Sequence, residues 1–276
     1  GANCEIFDLK KVTEANYYCN KLGIDTISMG VTISCAMELQ EKGLFPYENV
    51  KFGNDEIITD LVKKTALREG IGNDLAEGSK RLAEKYGDAE VAIHVKGLEL
   101  PAYDPRGAMG HALGYVTSNR GGCHLTGYLA AMELFSAPKR IPRFTISGKA
   151  DLLVLKQNQS AIEDSLVNCK VSGYALGFDF HSRFASVITG YDYNTTELLR
   201  IGERIYNLER IFNIDAGIEK EQDKLPERFI KEPFKEGLSK DRVVPVAKML
   251  KEYYAVRNWD ENGIPTIEKR KELEII

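Results

Sequence analysis

Apolar residues recur at intervals of three and four positions along most of this chain, which is the spacing of one face of an α-helix. In the first such stretch, residues 8–22, they are Leu9, Val12, Ala15, Cys19 and Leu22. A glycine ends this stretch, and Asp25-Thr26 offers a cap for a second helix that runs to residue 42. The same period predicts helices over 56–68, 73–86, 149–168, 197–214 and 242–257. The chain is therefore predicted to be mostly α, with a multihelical fold.

One stretch departs from the helical period. Residues 90–100 alternate as Val91, Ile93 and Val95, which predicts a β-strand. The segment 101–107 (PAYDPRG) then interrupts the pattern with prolines and a glycine, so we predict a domain boundary near residue 94. The expected division is one helical domain over 1–94 and a second over 95–276, in which 226–237 is an ordered loop.

Composition narrows the class of protein. The 276 residues are 43% hydrophobic and 28% charged, ordinary values for a globular protein. A net charge of −4 gives no electrostatic footprint for nucleic acid, and no apolar run approaches the roughly 18 residues that span a bilayer. Five cysteines are too few and too scattered for a disulfide framework, so we expect a reducing, cytoplasmic compartment.

Two segments of similar layout could bind a cofactor. Asn20 and Asp25 lie five positions apart around a glycine, and Asp164 and Cys169 repeat that spacing at the predicted end of a helix. A helix stop followed by a new helix presents backbone N–H groups, and an acidic side chain beside them can accept hydrogen bonds from a heterocycle. Ordinary capped helix ends have the same pattern, so both interpretations stay open. No two cysteines are spaced as Cys-x2-Cys, so a metal on Cys169 would need ligands from elsewhere.

A glycine-rich segment carries the best candidate for proton transfer. His124 follows two glycines and Cys123, and an imidazole can act as general acid or base near neutral pH. A lone histidine is equally compatible with a simple hydrogen-bonding role. Arg106 and Arg120 lie in the same region and could pair with phosphate or with a neighbouring carboxylate.

Several of these segments together resemble the tungsten-containing aldehyde:ferredoxin oxidoreductase family. The resemblance covers essentially the whole chain, and the segment 101–107 is its most specific part. The matching segments are 1–3 (GAN), 23–28 (GIDTIS), 36–39 (AMEL), 75–79 (LAEGS), 98–107 (LELPAYDPRG), 118–124 (SNRGGCH), 201–210 (IGERIYNLER) and 225–229 (LPERF).

The resemblance implies a three-domain enzyme in which a β-rich first domain precedes two helical ones. Because the chain opens at Gly1 without a methionine, we expect it to be the C-terminal part of such an enzyme, with 1–94 as part of domain 2 and 95–276 as domain 3. The family holds tungsten, or molybdenum on the same pterin, between two molybdopterins beside a [4Fe–4S] cluster. It oxidises an aldehyde to a carboxylic acid and passes the electrons to ferredoxin.

Carried over position by position, the resemblance implies a set of cofactor contacts. Cys169 would be the fourth ligand of the cluster, whose other three ligands lie in a Cys-x2-Cys-x3-Cys run outside this chain. Asp164 and Asn168 would contact one pterin, and Asn20 and Asp25 the other.

The resemblance also implies a catalytic residue and a set of partners. His124 matches a histidine beside the tungsten that is suited to proton transfer. The expected partners are ferredoxin, a small aldehyde, the protein's own N-terminal domain and, in a homodimer, a second copy. On its own, this chain is expected to be inactive and free of metal.

Four positions depart from the family pattern. Asn20 stands where an aspartate is expected and offers a weaker partner to a donor-rich ring. Val167-Asn168 replaces Gly-Leu, and because a β-branched residue resists positive φ, this loop is expected to turn differently. Glu14 matches one ligand of a metal shared between subunits, but Thr59 replaces the histidine, so no bridging metal is predicted.

Two alternative functions remain. Tungsten subunits of aromatic acyl-CoA ring reductases share the fold and act on thioesters within larger complexes. A helical scaffold that has lost the cofactor would explain the departures at Asn20, Val167 and Asn168. The retained Asp164, Cys169 and His124 argue against the scaffold.

Overall fold

The computed structural model describes residues 1–174 and 176–276. It confirms the mostly helical class, since the sheet in these residues is one two-stranded hairpin. The chain divides into unit 1, residues 1–103 with 226–228, and unit 2, residues 104–225 with 229–276. Compact packing does not by itself define a functional domain, so the predicted division into 1–94 and 95–276 stays a prediction.

Unit 1 is built around a central buried helix. Asp25 begins this helix by accepting a hydrogen bond from the Ser28 N–H at 2.7 Å, and Gly23, at a φ of 74°, ends the helix before it. The elements are α1 (Leu9–Leu22), α2 (Thr26–Glu41), α3 (Ile58–Leu67), α4 (Ile71–Leu75), α5 (Gly78–Lys85), β1 (His94–Val95) and β2 (Leu98–Glu99), with 3-10 turns at Ala2–Cys4 and Ala89–Val91. The core of unit 1 forms where α2 packs on α5 and on the first 3-10 turn.

No single helix in the described part of the chain is long and apolar enough to cross a membrane. The bent pair α1 and α2, at 119° to each other, passes the test of length and composition when taken together.

The prediction of one continuous strand over 90–100 is wrong. The segment makes a 3-10 turn and then a tight antiparallel hairpin, in which His94 pairs with Glu99 and Val95 with Leu98. Lys96 and Gly97 both adopt positive φ, at 51° and 83°, as a two-residue hairpin turn of the primed type requires. Of the alternating residues, Val91 lies in the 3-10 turn and only Val95 lies in a strand.

Unit 2 is organised around a long helix, α8. The helices after residue 104 are α6 (Met109–Thr117), α7 (Ala130–Glu133), α8 (Lys149–Ser165), α9 (Phe178–Thr189), α10 (Thr195–Asp215), α11 (Glu227–Lys231), α12 (Val246–Arg257) and α13 (Ile267–Glu272), with 3-10 turns at Pro105–Gly107, Lys170–Tyr174 and Lys220–Gln222. Helix α8 packs against α6, α10 and α12. At its crossing with α10, a Cβ on Gly202 would lie 2.1 Å from the Asn158 carbonyl oxygen, so only glycine fits this crossing.

Several helix boundaries in both units differ from the prediction, each for a physical reason. Every residue of α6 is buried, so the helix shows no polar face and no 3.6-residue period. Helix α12 begins at Val246 rather than at residue 242 because Pro245 disfavours helical backbone in the residue before it. The predicted loop over 226–237 contains α11, and the predicted helix over 73–86 is interrupted by Gly78 at a φ of 79°.

Candidate functional site

The end of α8 and the loop that follows it carry three of the predicted residues: Asp164 in the last turn of the helix, and Asn168 and Cys169 in the loop. After Ser165 the chain closes with hydrogen bonds from Val167 N to Asp164 O at 3.0 Å and from Asn168 N to Glu163 O at 2.9 Å. Val167 adopts a φ of 57°, so the expectation that its β-branched side chain would avoid left-handed backbone is wrong. Its side chain is 91% exposed, so no neighbouring group opposes this conformation.

Cys169 is the exposed cysteine of the chain, while the other four are buried. Its carbonyl oxygen accepts hydrogen bonds from the Ser172 N–H at 3.0 Å and the Ser172 hydroxyl at 2.6 Å, which fix the backbone on its C-terminal side. Within 1–174 and 176–276, no group of three His, Cys, Asp or Glu side chains is placed to hold a metal. A cluster bound to Cys169 would therefore take its remaining ligands from outside the described residues.

Lys170 organises this loop, and sequence reasoning missed it. Its ammonium donates to the Ser160 carbonyl at 2.7 Å and lies 3.0 Å from Asp164 Oδ1 and 3.4 Å from Glu163 Oε2. The Asp164 side chain is 63% exposed, so its carboxylate is held on one side and open on the other. The lysine anchors the acceptor that the resemblance assigns to a pterin.

His124 lies in the loop between α6 and α7, half-buried and beside two other rings. The Tyr128 ring is 5.9 Å from the His124 ring and 5.6 Å from the His111 ring. Burial lowers the pKa of His111 to about 3, and a charge on His124 would act in the same direction. His111 is therefore neutral at pH 7, and His124 is the remaining candidate for proton transfer in this loop.

This loop is held tightly against α8. The Gly127 N–H donates to the Ser160 hydroxyl at 3.3 Å. Gly127 has a φ of 79°, and a Cβ there would lie 2.7 Å from Leu153 Cδ1, so both conformation and space require glycine. The loop of His124 therefore packs directly against α8 in unit 2.

Glu209 is a second residue that sequence reasoning did not identify as part of this region. The Asn119 amide joins α10 to the loop by donating to Tyr206 O at 3.0 Å and to Glu209 Oε2 at 3.1 Å. Partial burial raises the pKa of Glu209, the hydrogen bond from Asn119 opposes this, and the charge of Asp164 raises it further. The structure thus brings α10 close to the exposed carboxylate of Asp164.

Arg106 has the structural role rather than the phosphate-binding one. It pairs with Asp104 through two hydrogen bonds, at 2.7 and 3.0 Å, and donates to the Glu232 carbonyl at 2.7 Å. Its guanidinium also stacks over the Phe229 and Phe234 rings, at 5.2 and 3.9 Å. Of the two predicted partners of Arg106, phosphate and a neighbouring carboxylate, the structure shows the carboxylate.

Asn20 and Asp25 lie in unit 1, at the junction of α1 and α2. The Asn20 amide donates to the Asn16 carbonyl at 2.8 Å, and one Asp25 oxygen caps α2. Their positions are those of a capped helix junction, which both interpretations of the sequence predicted. Their contact with a pterin stays a prediction.

A cleft of about 370 Å³ lies in unit 2 between the loop of His124 and the end of α8. Its lining includes Leu125, Tyr128, Met132, Glu163, Lys170 and Phe178. A larger groove of about 990 Å³ is lined in part by Tyr254 and Trp259, and none of the predicted site residues lines it.

Known proteins similar to this chain are oxidoreductases. A family described as "Aldehyde ferredoxin oxidoreductase, domains 2 & 3" matches residues 1–275. The tungsten-containing aldehyde ferredoxin oxidoreductase of Pyrococcus furiosus is 45% identical over 283 residues, covering 100% of the chain and 47% of the relative. The Thermococcus kodakarensis protein of the same name is 44% identical, with the same coverage. A more distant relative, at 28% identity and 44% of its length, is an aliphatic sulfonate oxidoreductase, WOR-like subunit, of P. furiosus. The chain thus spans about half the length of the curated relatives it matches.

A solved structure shares the fold. The active-site complex of benzoyl coenzyme A reductase with 1,5-dienoyl-CoA superimposes with a TM-score of 0.70 at 21% identity. The match covers 91% of the chain and 44% of the reductase chain.

Proposed function

Because the chain belongs to the aldehyde ferredoxin oxidoreductase family, whose domains 2 and 3 it matches, we propose that it forms the helical part of an enzyme that oxidises aldehydes to carboxylic acids. Ferredoxin is the proposed electron acceptor. The observation that carries this proposal is the exposed thiol of Cys169, five residues after the Asp164 carboxylate that Lys170 holds. The cysteines of the chain are free thiols, which supports a cytoplasmic protein.

The side chains of unit 2 fit one edge of an iron–sulfur and pterin centre. A cluster takes thiolate ligands, and Cys169 is a thiol that the fold leaves open. A pterin presents N–H donors, and Asp164 offers carboxylate oxygens that are held in place but not buried. In unit 1, Asn20 and Asp25 would contact the second pterin.

A bound tungsten–pterin group supplies the redox chemistry and the Lewis acidity. The residues of this chain hold and tune it. His124 would keep or release a proton at its ring nitrogen near the substrate carbonyl. Lys170 and the turn at Val167 would keep Asp164 and Cys169 in place.

The proposed enzyme needs more sequence than this chain. Cys169 provides one thiolate of the four that a [4Fe–4S] cluster takes, and the relatives are about twice as long as the matched region. We therefore propose that the 276-residue chain alone is inactive and free of metal.

A second candidate is the tungsten subunit of an aromatic acyl-CoA ring reductase. The shared fold with the benzoyl coenzyme A reductase complex favours it. The 45% identity to aldehyde oxidoreductases over the whole chain favours the first proposal more strongly. A cofactor-free scaffold is disfavoured because Asp164, Cys169 and His124 are all retained.

The test is a pair of anaerobic assays of the natively purified protein: acetaldehyde and phenylacetaldehyde with oxidised ferredoxin as electron acceptor, and benzoyl-CoA with a strong one-electron reductant as electron donor. The proposal predicts ferredoxin reduction with the aldehydes, and a fall of about 10²-fold or more in kcat for His124→Gln. Turnover of benzoyl-CoA without aldehyde oxidation would favour the second candidate. No turnover of either substrate would leave the scaffold as the better description.

A further inference from the structure

The cleft of about 370 Å³ in unit 2 is lined by the direct sequence neighbours of three predicted site residues, His124, Asp164 and Cys169. Leu125 and Tyr128 line it and belong to the loop that carries His124. Glu163 and Lys170 line it from the other side and bracket Asp164 and Cys169 in sequence. Tyr128 lines the cleft, and its ring is 5.9 Å from the His124 ring. A substrate bound at His124 would therefore lie next to this cleft.

The two walls of the cleft differ in chemistry. One wall is apolar and aromatic, and the other is a polar strip along α8. The apolar wall consists of Leu125, Tyr128, Ala131, Met132, Leu176 and Phe178.

The polar strip is internally satisfied. Lys156 Nζ donates to Gln159 Oε1 at 3.0 Å, and Gln159 Nε2 donates to Glu163 Oε1 at 3.0 Å. Glu163 is only 6% exposed and has Lys170 Nζ 3.4 Å from its second oxygen. An apolar group placed on the opposite wall breaks none of these hydrogen bonds.

The size of the cleft suits a compact side chain. An engineered apolar cavity of about 150 Å³ binds benzene, so about 370 Å³ accommodates a single ring with its linker. Ligand pockets of this kind start at about 300 Å³.

From these observations we infer that this cleft receives the organic side chain of the aldehyde and selects phenyl-sized apolar groups. Met132 and Phe178, both half-buried in the cleft, set its width and are specificity-determining residues. This inference rests on the proposed aldehyde oxidation and adds to it the substrate class and the residues that choose it.

The main test compares variants of the natively assembled enzyme on an aldehyde series. Met132→Trp narrows the cleft and is expected to lower the kcat/KM ratio of phenylacetaldehyde to acetaldehyde by about tenfold or more. Phe178→Ala widens the cleft. It is expected to raise the ratio of kcat/KM for 2-naphthylacetaldehyde to kcat/KM for phenylacetaldehyde by a similar factor. Leu250→Trp, in the 990 Å³ groove, is the matched control and should leave both ratios within about twofold.

A binding measurement separates failure of this inference from failure of the proposed function. The unreactive probe 2-phenylethanol is titrated into the same proteins, and its contacts are followed by saturation-transfer NMR. Binding that is lost in Met132→Trp and kept in Leu250→Trp supports the cleft even if no aldehyde is oxidised. Unchanged binding and unchanged ratios in Met132→Trp and Phe178→Ala would overturn the inference.

Discussion

Val167 holds a β-branched side chain on left-handed backbone, with a φ of 57°. For L-residues this conformation costs roughly 1–2 kcal/mol, and glycine avoids that cost while losing some entropy on folding. We expect Val167→Gly to raise the free energy of unfolding by about 0.5–1 kcal/mol in urea denaturation.

Val171 supplies the matched control for this substitution. It is also an exposed valine near Cys169, and its φ is not positive. Val171→Gly should therefore lower stability slightly, since only the entropic cost remains. A loss of stability in both variants would show that the turn at Val167 carries no strain.

Cys169 differs from the other cysteines by its exposure. Burial raises the pKa of Cys35 to about 12 and also raises the pKa of Cys4 and Cys19, so these thiols are both shielded and protonated. We expect a thiol reagent to label one cysteine rapidly in the native chain and the rest only after unfolding. Cys169→Ser should remove the rapid phase, and a rapid phase that survives would contradict the assignment.

At the scale of single residues, the sequence identified the candidate site residues but not the residues that contact them and hold them in place. The spacing of Asp164 and Cys169 and the family pattern both pointed to this loop. Lys170 and Glu209 carried no local signal, because a lysine and a glutamate in ordinary positions become relevant only once α8, α10 and the His124 loop are packed together. Arg106 instead pairs with Asp104, two residues before it in the chain.

At the scale of elements, α6 depends on a buried ion pair. The Glu133 carboxylate accepts from the Gly110 and His111 N–H groups at 2.9 Å and pairs with the Lys149 ammonium. Glu133→Gln would leave the Lys149 charge buried without its counter-ion, so we expect the free energy of unfolding to fall by about 3–5 kcal/mol.

The double variant Glu133→Gln with Lys149→Met tests whether the unpaired Lys149 charge causes the loss of stability. Removal of the buried charge should recover most of the loss in chemical denaturation. If the double variant is as unstable as Glu133→Gln, the lost hydrogen bonds to α6, rather than the uncompensated charge, would account for the effect.

Asp74 links α4 to α5 and makes the stability of unit 1 sensitive to acid. Burial alone would raise the pKa of Asp74, but hydrogen bonds from Lys85 and Tyr86 outweigh it and lower the pKa below its ordinary value of 3.8. A lowered pKa stabilises the fold above the unfolded value, and this contribution is lost as the pH falls through the folded value.

Asp74→Asn tests that coupling. The variant should be less stable than the parent near neutral pH, and the difference should shrink as the pH falls below 3.8. The check is urea denaturation of both proteins across the acid range, and a difference that does not change with pH would contradict it.

The elements that the sequence predicted well are those with a polar face and a distinct stop. Helix α1 has both, with Asp8 at one end and Gly23 at the other. Helix α6 is buried on every side, and α9 carries the exposed apolar residues Val187 and Ile188, so neither shows the expected pattern. The hairpin at 94–99 was missed because four strand residues are too few to display a period.

At the scale of the whole molecule, we propose that this helical chain contributes Cys169, Asp164 and His124 to a larger site. Of these residues, Cys169 is exposed and Asp164 is held by Lys170, and the chain spans about half the length of relatives that are named as tungsten enzymes. The proposed tungsten and iron–sulfur centre is therefore one that this chain helps to hold.

The most direct test is the tungsten and iron content of the protein purified without oxygen from its native source, with Cys169→Ser beside it. We expect about one tungsten and about four irons per polypeptide in the parent, and a clear loss of iron in the variant. A parent protein that contains neither metal would contradict the proposed function.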